Sequence, residues 1–593
     1  MFILFDDVGY GDFFEGHTRI FTPNIDRLAA QGVRFEQYYV NSSICSPSRA
    51  SILTGRHPQR SGILNALAAS SERTLPPNLP TVADRLRKLG YTSASIGKWH
   101  VGDLPENDPV HRGFDESIVF DAADGYTDPL LRFDGDLVQT VPGHLTDLLI
   151  DYAEAFVTRA QTPYFLNLWL YDAHTATAGG ETQYEPLPRW AARYDDTEHG
   201  RYAAHISGAD EGIGRLLATI DALDPDGNTL VVVTSDNGSR WTDNGHNADF
   251  RGSKGRLLEG GIRVPLIMNW AGVLPEGRTD TLPAQSIDLA PTLLELAGGA
   301  VDANAFDGTS IAERLLTGQQ ATRTPTLYWN KGTGPYYDNE RGIGERLALR
   351  QGQWKLLFVP ENGRTYLYDL HADPFERTNR ADQQPDLVDA LWARYRDWHL
   401  DVGALDGVTF ALSGDAGQVG DTFTFGTAGG TALAKPDSRL RVHDGSFSVS
   451  AWVRVDAFPA DQAIVAAKAG AWRLAIDAAG RLVGELDGVA FDRRSAARQT
   501  LVSTASLVPG QWTHVVLTTY GTSRSPNQTR LYLDGVLEGE GAELAEIVSN
   551  DNPASLGNDQ AGKRPLIGAV RQPRFFTVPL SAAEIQDLVA AGP

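Results

Sequence analysis

Over about the first four hundred residues, short apolar runs that end in polar or acidic residues alternate with amphipathic stretches, the pattern of an α/β fold with a mostly parallel sheet sandwiched by helices. Thr229-Leu230-Val231-Val232-Val233-Thr234 shows it most plainly. A strand with one wet face alternates in character, whereas a strand apolar at nearly every position is buried on both faces. Phe2 to Phe5 and Tyr164 to Tyr171 read as further strands. Thr22 reads as the cap of a helix whose first residue is Pro23, and a second helix begins around Thr81 and stops at Gly90.

The texture changes from about Leu327. Arg346 to Arg350, Trp354 to Phe358 and Thr365 to Asp369 read as short strands, followed by a helix from Leu387 to His399. Near Leu405 it changes again, to alternating segments split by Gly, Asp and Asn, as in an all-β sandwich. Its landmarks are Phe447 to Val453, Gln511 to Val516, Arg530 to Gly535, Ile567 to Arg571 and a short helix from Ser581. This last part resembles a laminin-G-like, concanavalin A-like jelly roll. Trp452 and Trp512 read as core residues of that sandwich. Three domains are expected: an α/β domain over 1–325, a small antiparallel α+β subdomain over 326–403, and the β-sandwich over 404–593.

The formal net charge of -23 argues against nucleic acid as a partner, since phosphate binding needs a basic face. It does not exclude an anionic small substrate, because distant surface charge is screened beyond roughly 8 Å. No run is long and apolar enough to span a bilayer. No signal peptide precedes the first strand; the abrupt entry after Met1 reads as a trimmed or misplaced start, and the natural protein is expected to be exported, periplasmic or extracellular. The oligomeric state is not legible.

Asp6 and Asp7 follow the first strand directly, and Asp236 and Asn237 follow the Val-rich strand in the same way. Alone, each pair reads equally well as a solvated turn or an Asx turn. Together they stand at the carboxyl ends of sheet strands, where α/β proteins gather ligands. Their hard oxygens suit calcium, with magnesium as the alternative, and not zinc. Cys45 is the only cysteine of the chain and opens Cys45-Ser46-Pro47-Ser48-Arg49-Ala50-Ser51-Ile52-Leu53-Thr54-Gly55 just before a helix expected from Pro47. A lone cysteine is most often a small buried hydrophobe.

That run resembles the signature of the formylglycine-dependent sulfatases, arylsulfatase-like enzymes in which a formylglycine-generating modifying enzyme oxidises the cysteine. The resemblance extends to Asp6-Asp7-Val8-Gly9-Tyr10-Gly11-Asp12, to Ser235-Asp236-Asn237-Gly238, and to Arg251-Gly252-Ser253-Lys254-Gly255 with Glu259-Gly260-Gly261-Ile262-Arg263-Val264-Pro265. It implies an alkaline-phosphatase-like sheet and hydrolysis of sulfate esters. The implied metal ligands are Asp6, Asp7, Asp236, Asn237 and the modified residue 45. The implied catalytic groups are Cys45, Arg49, Lys98, His100, His174 and Lys254. Arg49 holds the nucleophile oxygen, Lys98 and Lys254 the sulfate oxygens, and His100 the hydrate; His174 is the general acid. Read as one strand, the segment from Thr92 places Lys98 and His100 on one face. The proline usual soon after the family's histidine is missing beyond His174, so a differently shaped loop is expected there. Asp12, Glu259 and Arg263 read as structural. His57, Arg60, His246 and Asn247 flank the motifs and are candidate substrate contacts.

The appended sandwich points to a sulfated carbohydrate as substrate, because a binding module raises effective concentration on a polymer. The sandwich lacks the acidic pair that would mark a calcium site of its own near Gly568 to Arg574. Three other readings stay open: a phosphonate or phosphodiester hydrolase of the same superfamily, a glycan-binding protein whose sulfatase-like domain is inert, and an adhesion role led by the sandwich.

Overall fold

A computed structural model describes the chain except residues 15–19, 68–73, 103–106, 121–124, 161–162, 179–180, 241–245, 320–324, 332–346, 360–363, 404–409, 428, 435–446, 490–495, 523–524, 542–543, 545, 548–553, 560–561 and 577–578. The expected strand start at Arg346, the transition expected near Leu405 and residues 179–180 of the loop after His174 fall outside the described residues. The chain divides into two compact units, Met1–Lys331 with Tyr336–Trp392, and a second that includes Ala393–Pro593.

The first unit is built on a ten-stranded sheet. In chain order its strands are β1 (Phe2–Phe5), β2 (Val33–Phe35), β3 (Thr92–Lys98), β4 (Glu116–Phe120), β5 (Leu130–Phe133), β6 (Leu137–Thr140), β7 (Tyr164–Trp169), β8 (Val231–Ser235), β9 (Leu266–Asn269) and β10 (Arg278–Asp280). Their spatial order is β10-β2-β9-β8-β1-β7-β3-β4-β5-β6. The five central strands from β8 to β4 are all parallel. Phe2 and Leu4 enter one hydrophobic cluster and Ile3 and Phe5 the other, so β1 is apolar at every position because both its faces are covered.

Four antiparallel strands follow: β11 (Thr326–Asn330), β12 (Leu347–Gln351), β13 (Trp354–Val359) and β14 (Arg364–Asp369). A buried ion network ties this small sheet to the turn after Leu258. Lys355 Nζ lies 2.8 Å from both Glu259 and Glu376. Tyr39 donates to the other Glu259 oxygen at 2.7 Å, and Arg350 donates to Tyr39 at 2.5 Å. Arg263 pairs with Glu259 at 3.5 Å. Burial pushes the Glu259 carboxyl up, but Lys355, Arg263 and Arg350 outweigh it and hold it at about 2. Lys355→Met leaves two buried carboxylates short of their cation and is expected to destabilise the first unit by about 3–5 kcal/mol, read by chemical denaturation.

The second unit carries two antiparallel sheets of a jelly-roll type. One contains Phe447–Ala457, Trp512–Thr522, Ser525–Leu533 and Ile567–Phe576; the other contains Gln462–Lys468, Trp472–Asp477, Arg481–Val489 and Ala496–Ser506. Val449, Val453, Val515 and Leu517 of the first sheet meet Leu474, Ile476 and Leu486 of the second in one core. Trp472 is the tryptophan in that cluster. Trp452 is buried as expected, against His514 on the face of its strand turned from that cluster, whereas the expectation for Trp512 is corrected: it is only half-buried on that face, where Arg454 and Arg571 lie over its ring at 5.6 and 5.4 Å. The closing helix is Ala582–Ala590, capped by Ser581, whose hydroxyl accepts from the Glu584 N–H. Among the described residues, no helix is long and apolar enough to cross a membrane.

Candidate active site

Strand register assembles the site. Phe5 of β1 pairs with Ser235 of β8, so Asp6-Asp7 and Asp236-Asn237 leave the sheet side by side. Asp7 takes a positive φ of 63°, so the chain turns sharply as it leaves the strand. Gly97 has φ 113°, and a Cβ there would lie 1.9 Å from the Trp169 carbonyl, so only glycine lets β3 press this closely on β7 just before Lys98.

The helix Cys45–Thr54 is buried along its whole length. It begins at Cys45 itself, earlier than the expected start at Pro47, with Ile44 extended before it. Arg49, one turn on, is fully buried and its guanidinium is the hub of the site. Nε donates to Asp236 at 2.8 Å, Nη2 to Asp6 at 3.1 Å and Nη1 to the Lys98 carbonyl at 2.8 Å. Its flat face lies 4.9 Å from the Trp169 ring.

Three cations face three carboxylates here. Lys98 Nζ lies 2.5 Å from Asp6, and Lys254 Nζ lies 2.5 Å from Asp7. Asn237 donates to Asp7 at 2.7 Å. Burial pushes Asp6 up, yet Lys98, His174, Arg49 and Lys254 together hold it well below the usual carboxylate range. Burial and the neighbouring Asp6 and Cys45 push Asp236 up to about 7, against the pull of Arg49. Burial and Asp6 also raise Asp7, despite Lys254. Among the described residues, Asp6 Oδ1 and Asn237 Oδ1 are buried acceptors with no hydrogen-bond partner. Two bare oxygens beside carboxyls pushed toward protonation form a donor set short of positive charge, and they fit a hard divalent cation.

Hydrogen bonds fix the tautomers of both histidines. His100 Nε2 lies 2.9 Å from the Leu67 carbonyl and must donate to it, leaving Nδ1 as a buried lone pair with no hydrogen-bond partner among the described residues. Burial, Lys98 and Arg49 depress the ring to about 3. His100 lies beyond the end of β3 with φ 60°. It joins Lys98 through this left-handed turn, which corrects the expectation that strand alternation pairs them. His174 Nδ1 donates to the Thr175 carbonyl at 2.8 Å, and Nε2 points to Asp7 at 3.9 Å. Burial and Lys98 hold it well below the ordinary histidine range. Asp6, Asp7 and His174 present ligand atoms within 4.8 Å of one another. Beyond His174, Ala176–Ala178 pairs antiparallel with Glu181–Gln183.

The four candidate substrate contacts have other partners. His246 Nδ1 binds Asp12 at 2.7 Å, and Asp12 also accepts from Gly9 N–H and Tyr202. Asn247 accepts from the Ser239 N–H at 2.9 Å and donates to the Ser239 carbonyl. His57 meets Asn41 at 3.2 Å, and Arg60 meets Asp307 at 2.8 Å. His57, His246 and Asn247 are more than nine-tenths buried. Sequence reasoning misses Trp169 beneath Arg49, Tyr171 beneath Lys98 at 5.3 Å, and Ser235, which accepts from the Val8 N–H at 3.0 Å. Their one sequence signal is position, at or just beyond the ends of β7 and β8.

Residues 1–300 match the sulfatase family, residues 253–397 match the C-terminal region of N-sulphoglucosamine sulphohydrolase, and residues 425–586 match the concanavalin A-like lectin/glucanases superfamily. Arylsulfatase A of Bos taurus is 33% identical over 410 residues, 63% of this chain and 77% of that protein. The N-acetylgalactosamine-6-sulfatase of Canis lupus familiaris is 32% identical over 395 residues, 60% of this chain and 71% of its own. Ps i-CgsB, solved in complex with k-i-k-neocarrahexaose, superposes with a TM-score of 0.59 at 26% identity, covering 67% of this chain and 91% of its own. This chain belongs to the sulfatase family. It is a sulfuric ester hydrolase.

Proposed function

We propose that this protein removes sulfate from sulfated carbohydrates, with Cys45 oxidised to formylglycine by a modifying enzyme and a calcium ion held by Asp6, Asp7, Asp236, Asn237 and residue 45. One observation carries the reading: Arg49, one helical turn from Cys45, binds the same carboxylates that sit beside the bare oxygens of Asp6 and Asn237. The sugar class is supported by the names of the relatives, by the saccharide bound to Ps i-CgsB and by the appended sandwich. An exported location, periplasmic or extracellular, goes with that reading.

The oxidised residue supplies an oxygen nucleophile, and the cation supplies positive charge beside it. The chain's own groups do the rest. Lys98 and Lys254 attract the sulfuryl oxygens and stabilise charge as it builds there, which is where preorganised positive groups lower the barrier most. Arg49 fixes the orientation of Asp6 and Asp236 and leaves positive charge facing residue 45. With its Nδ1–H held by the Thr175 carbonyl, His174 acts from Nε2, which faces the cluster: the ring takes a second proton there once an anionic sulfate sits against Lys98 and Lys254, and passes it to the departing alcohol. His100, whose Nδ1 is a lone pair in the neutral ring, is the group assigned to take a proton when sulfate is expelled.

The test is sulfate release from a panel of sulfated mono- and oligosaccharides, run beside matched phosphate monoesters, phosphodiesters and phosphonates. Turnover confined to the sulfates is expected; turnover of phosphodiesters or phosphonates alone overturns the reading. Lys98→Ala is expected to lower sulfate release by about a thousandfold or more, in proportion to the loss of a preorganised charge.

A further inference from the structure

The turn that carries His174 does not hold itself. It runs from Tyr171 to His174 and is closed by the His174 N–H to the Tyr171 carbonyl at 2.9 Å. Its third residue, Ala173, has φ 81°, a region glycine enters freely and a residue with a Cβ enters at a cost. Tyr126 comes from elsewhere, the segment between β4 and β5, and is fully buried. Its hydroxyl lies 2.7 Å from the Tyr171 carbonyl and 2.7 Å from the His174 carbonyl, the two ends of the turn. A phenol has one hydrogen to donate, so the two carbonyls share it.

Tyr126 is itself anchored. Its carbonyl accepts the Leu145 N–H at 2.7 Å where the helix Leu145–Arg159 begins. Its ring packs 4.2 Å from His205 and stacks on His144 at 5.6 Å. On the other side of the turn, the His174 ring stacks on Tyr171 at 4.8 Å and its Nδ1–H goes to the Thr175 carbonyl. The phenol therefore links a rigid helix start to both ends of a strained turn, and the turn aims Nε2.

We infer that Tyr126 is a positioning residue for the reaction: its hydroxyl sets where His174 Nε2 stands when the doubly protonated ring gives a proton to the leaving group. This rests on the proposed role of His174 as proton donor. Small displacements of such a donor matter because proton transfer needs hydrogen-bond reach.

Phenylalanine at 126 keeps the ring and removes the bond, which separates aiming from packing. A misplaced proton donor hurts most when the leaving group is basic. The experiment compares Tyr126→Phe and His174→Ala with the unchanged enzyme on phenyl sulfate, whose phenolate needs the proton, and on 4-nitrophenyl sulfate, whose phenolate needs it far less. Tyr126→Phe is expected to lower kcat on phenyl sulfate by about tenfold or more, with KM within about twofold and 4-nitrophenyl sulfate turnover within about threefold. An equal loss on both esters, or no loss on either, overturns the inference. If His174→Ala itself shows no such selectivity, the role given to His174 fails and the inference fails with it; selectivity in His174→Ala without it in Tyr126→Phe overturns the inference alone. Should Tyr126→Phe not fold, the comparison is made on the double variant Tyr126→Phe/Ala173→Gly, whose glycine accepts the turn without strain. The same selective loss is expected there, and a uniform loss or none overturns the inference.

Discussion

Cys45→Ala stops sulfate release, by at least about a thousandfold, while the melting temperature moves by a few degrees at most. The large effect follows from chemistry: an alanine methyl cannot be oxidised to an aldehyde, and the family's reaction has no other nucleophile among the residues gathered here. The small effect on folding follows from structure. Cys45 is the first residue of its helix and is 2% exposed, and alanine is well suited to a helix start. The void left by one sulfur costs on the order of 1 kcal/mol. Intact mass of a peptide spanning Cys45 from active protein should fall short of the unmodified mass by the difference between a thiol-bearing methylene and an aldehyde. Wild-type turnover by Cys45→Ala, or an unmodified thiol in fully active protein, removes the nucleophile from the mechanism.

Stripping divalent ions with a chelator is the second large effect. Sulfate release should be lost and the melting temperature should drop by several degrees, and calcium should restore both. An ion that binds only the folded site at a hundredfold excess over its Kd stabilises by about 2.7 kcal/mol. The structural ground is the surplus of acceptor oxygens: Asp6 Oδ1 and Asn237 Oδ1 are buried with nothing to meet them among the described residues, and burial raises Asp7 and Asp236. Asn237→Ala removes one of those oxygens and should raise the calcium needed for half-maximal stabilisation by about tenfold or more, read by thermal melts across a calcium titration. A melting temperature indifferent to both chelator and calcium would show that Lys98, Lys254 and Arg49 alone balance the three carboxylates.

The legible part of the site lies in contiguous runs. Asp6-Asp7, Asp236-Asn237, Cys45 to Gly55 and the stretch around Lys254 each carry their residues within a few positions, and strand-end placement follows from apolar runs that stop abruptly. Long-range pairing hides the rest. Nothing near Tyr126 in the chain announces that its hydroxyl reaches carbonyls 45 and 48 residues away. His246 and Asn247 sit beside a motif in sequence, yet their partners Asp12 and Ser239 tie them into the wall of the site. Counting along a strand pairs His100 with Lys98, but the strand ends at Lys98 and a positive φ sets the ring. Hydrophobicity alone assigns Trp512 to the core, and strand alternation turns it outward beneath two arginines.

Composition and order of residues decided the kinds of element and the chemistry at their ends, because apolar periodicity and strand-end polarity are local properties. The oxygen-rich ends of β1 and β8 and the all-β character of the last third were of this kind, whereas the weight given to Cys45 came from the resemblance of its run to a family signature. Tertiary structure alone decided which cation meets which carboxylate, which oxygens are left bare, which tautomer each histidine holds and what braces the turn under His174. Those outcomes depend on strand register and on side chains hundreds of residues apart sharing one buried space, where each hydrogen bond is settled by geometry.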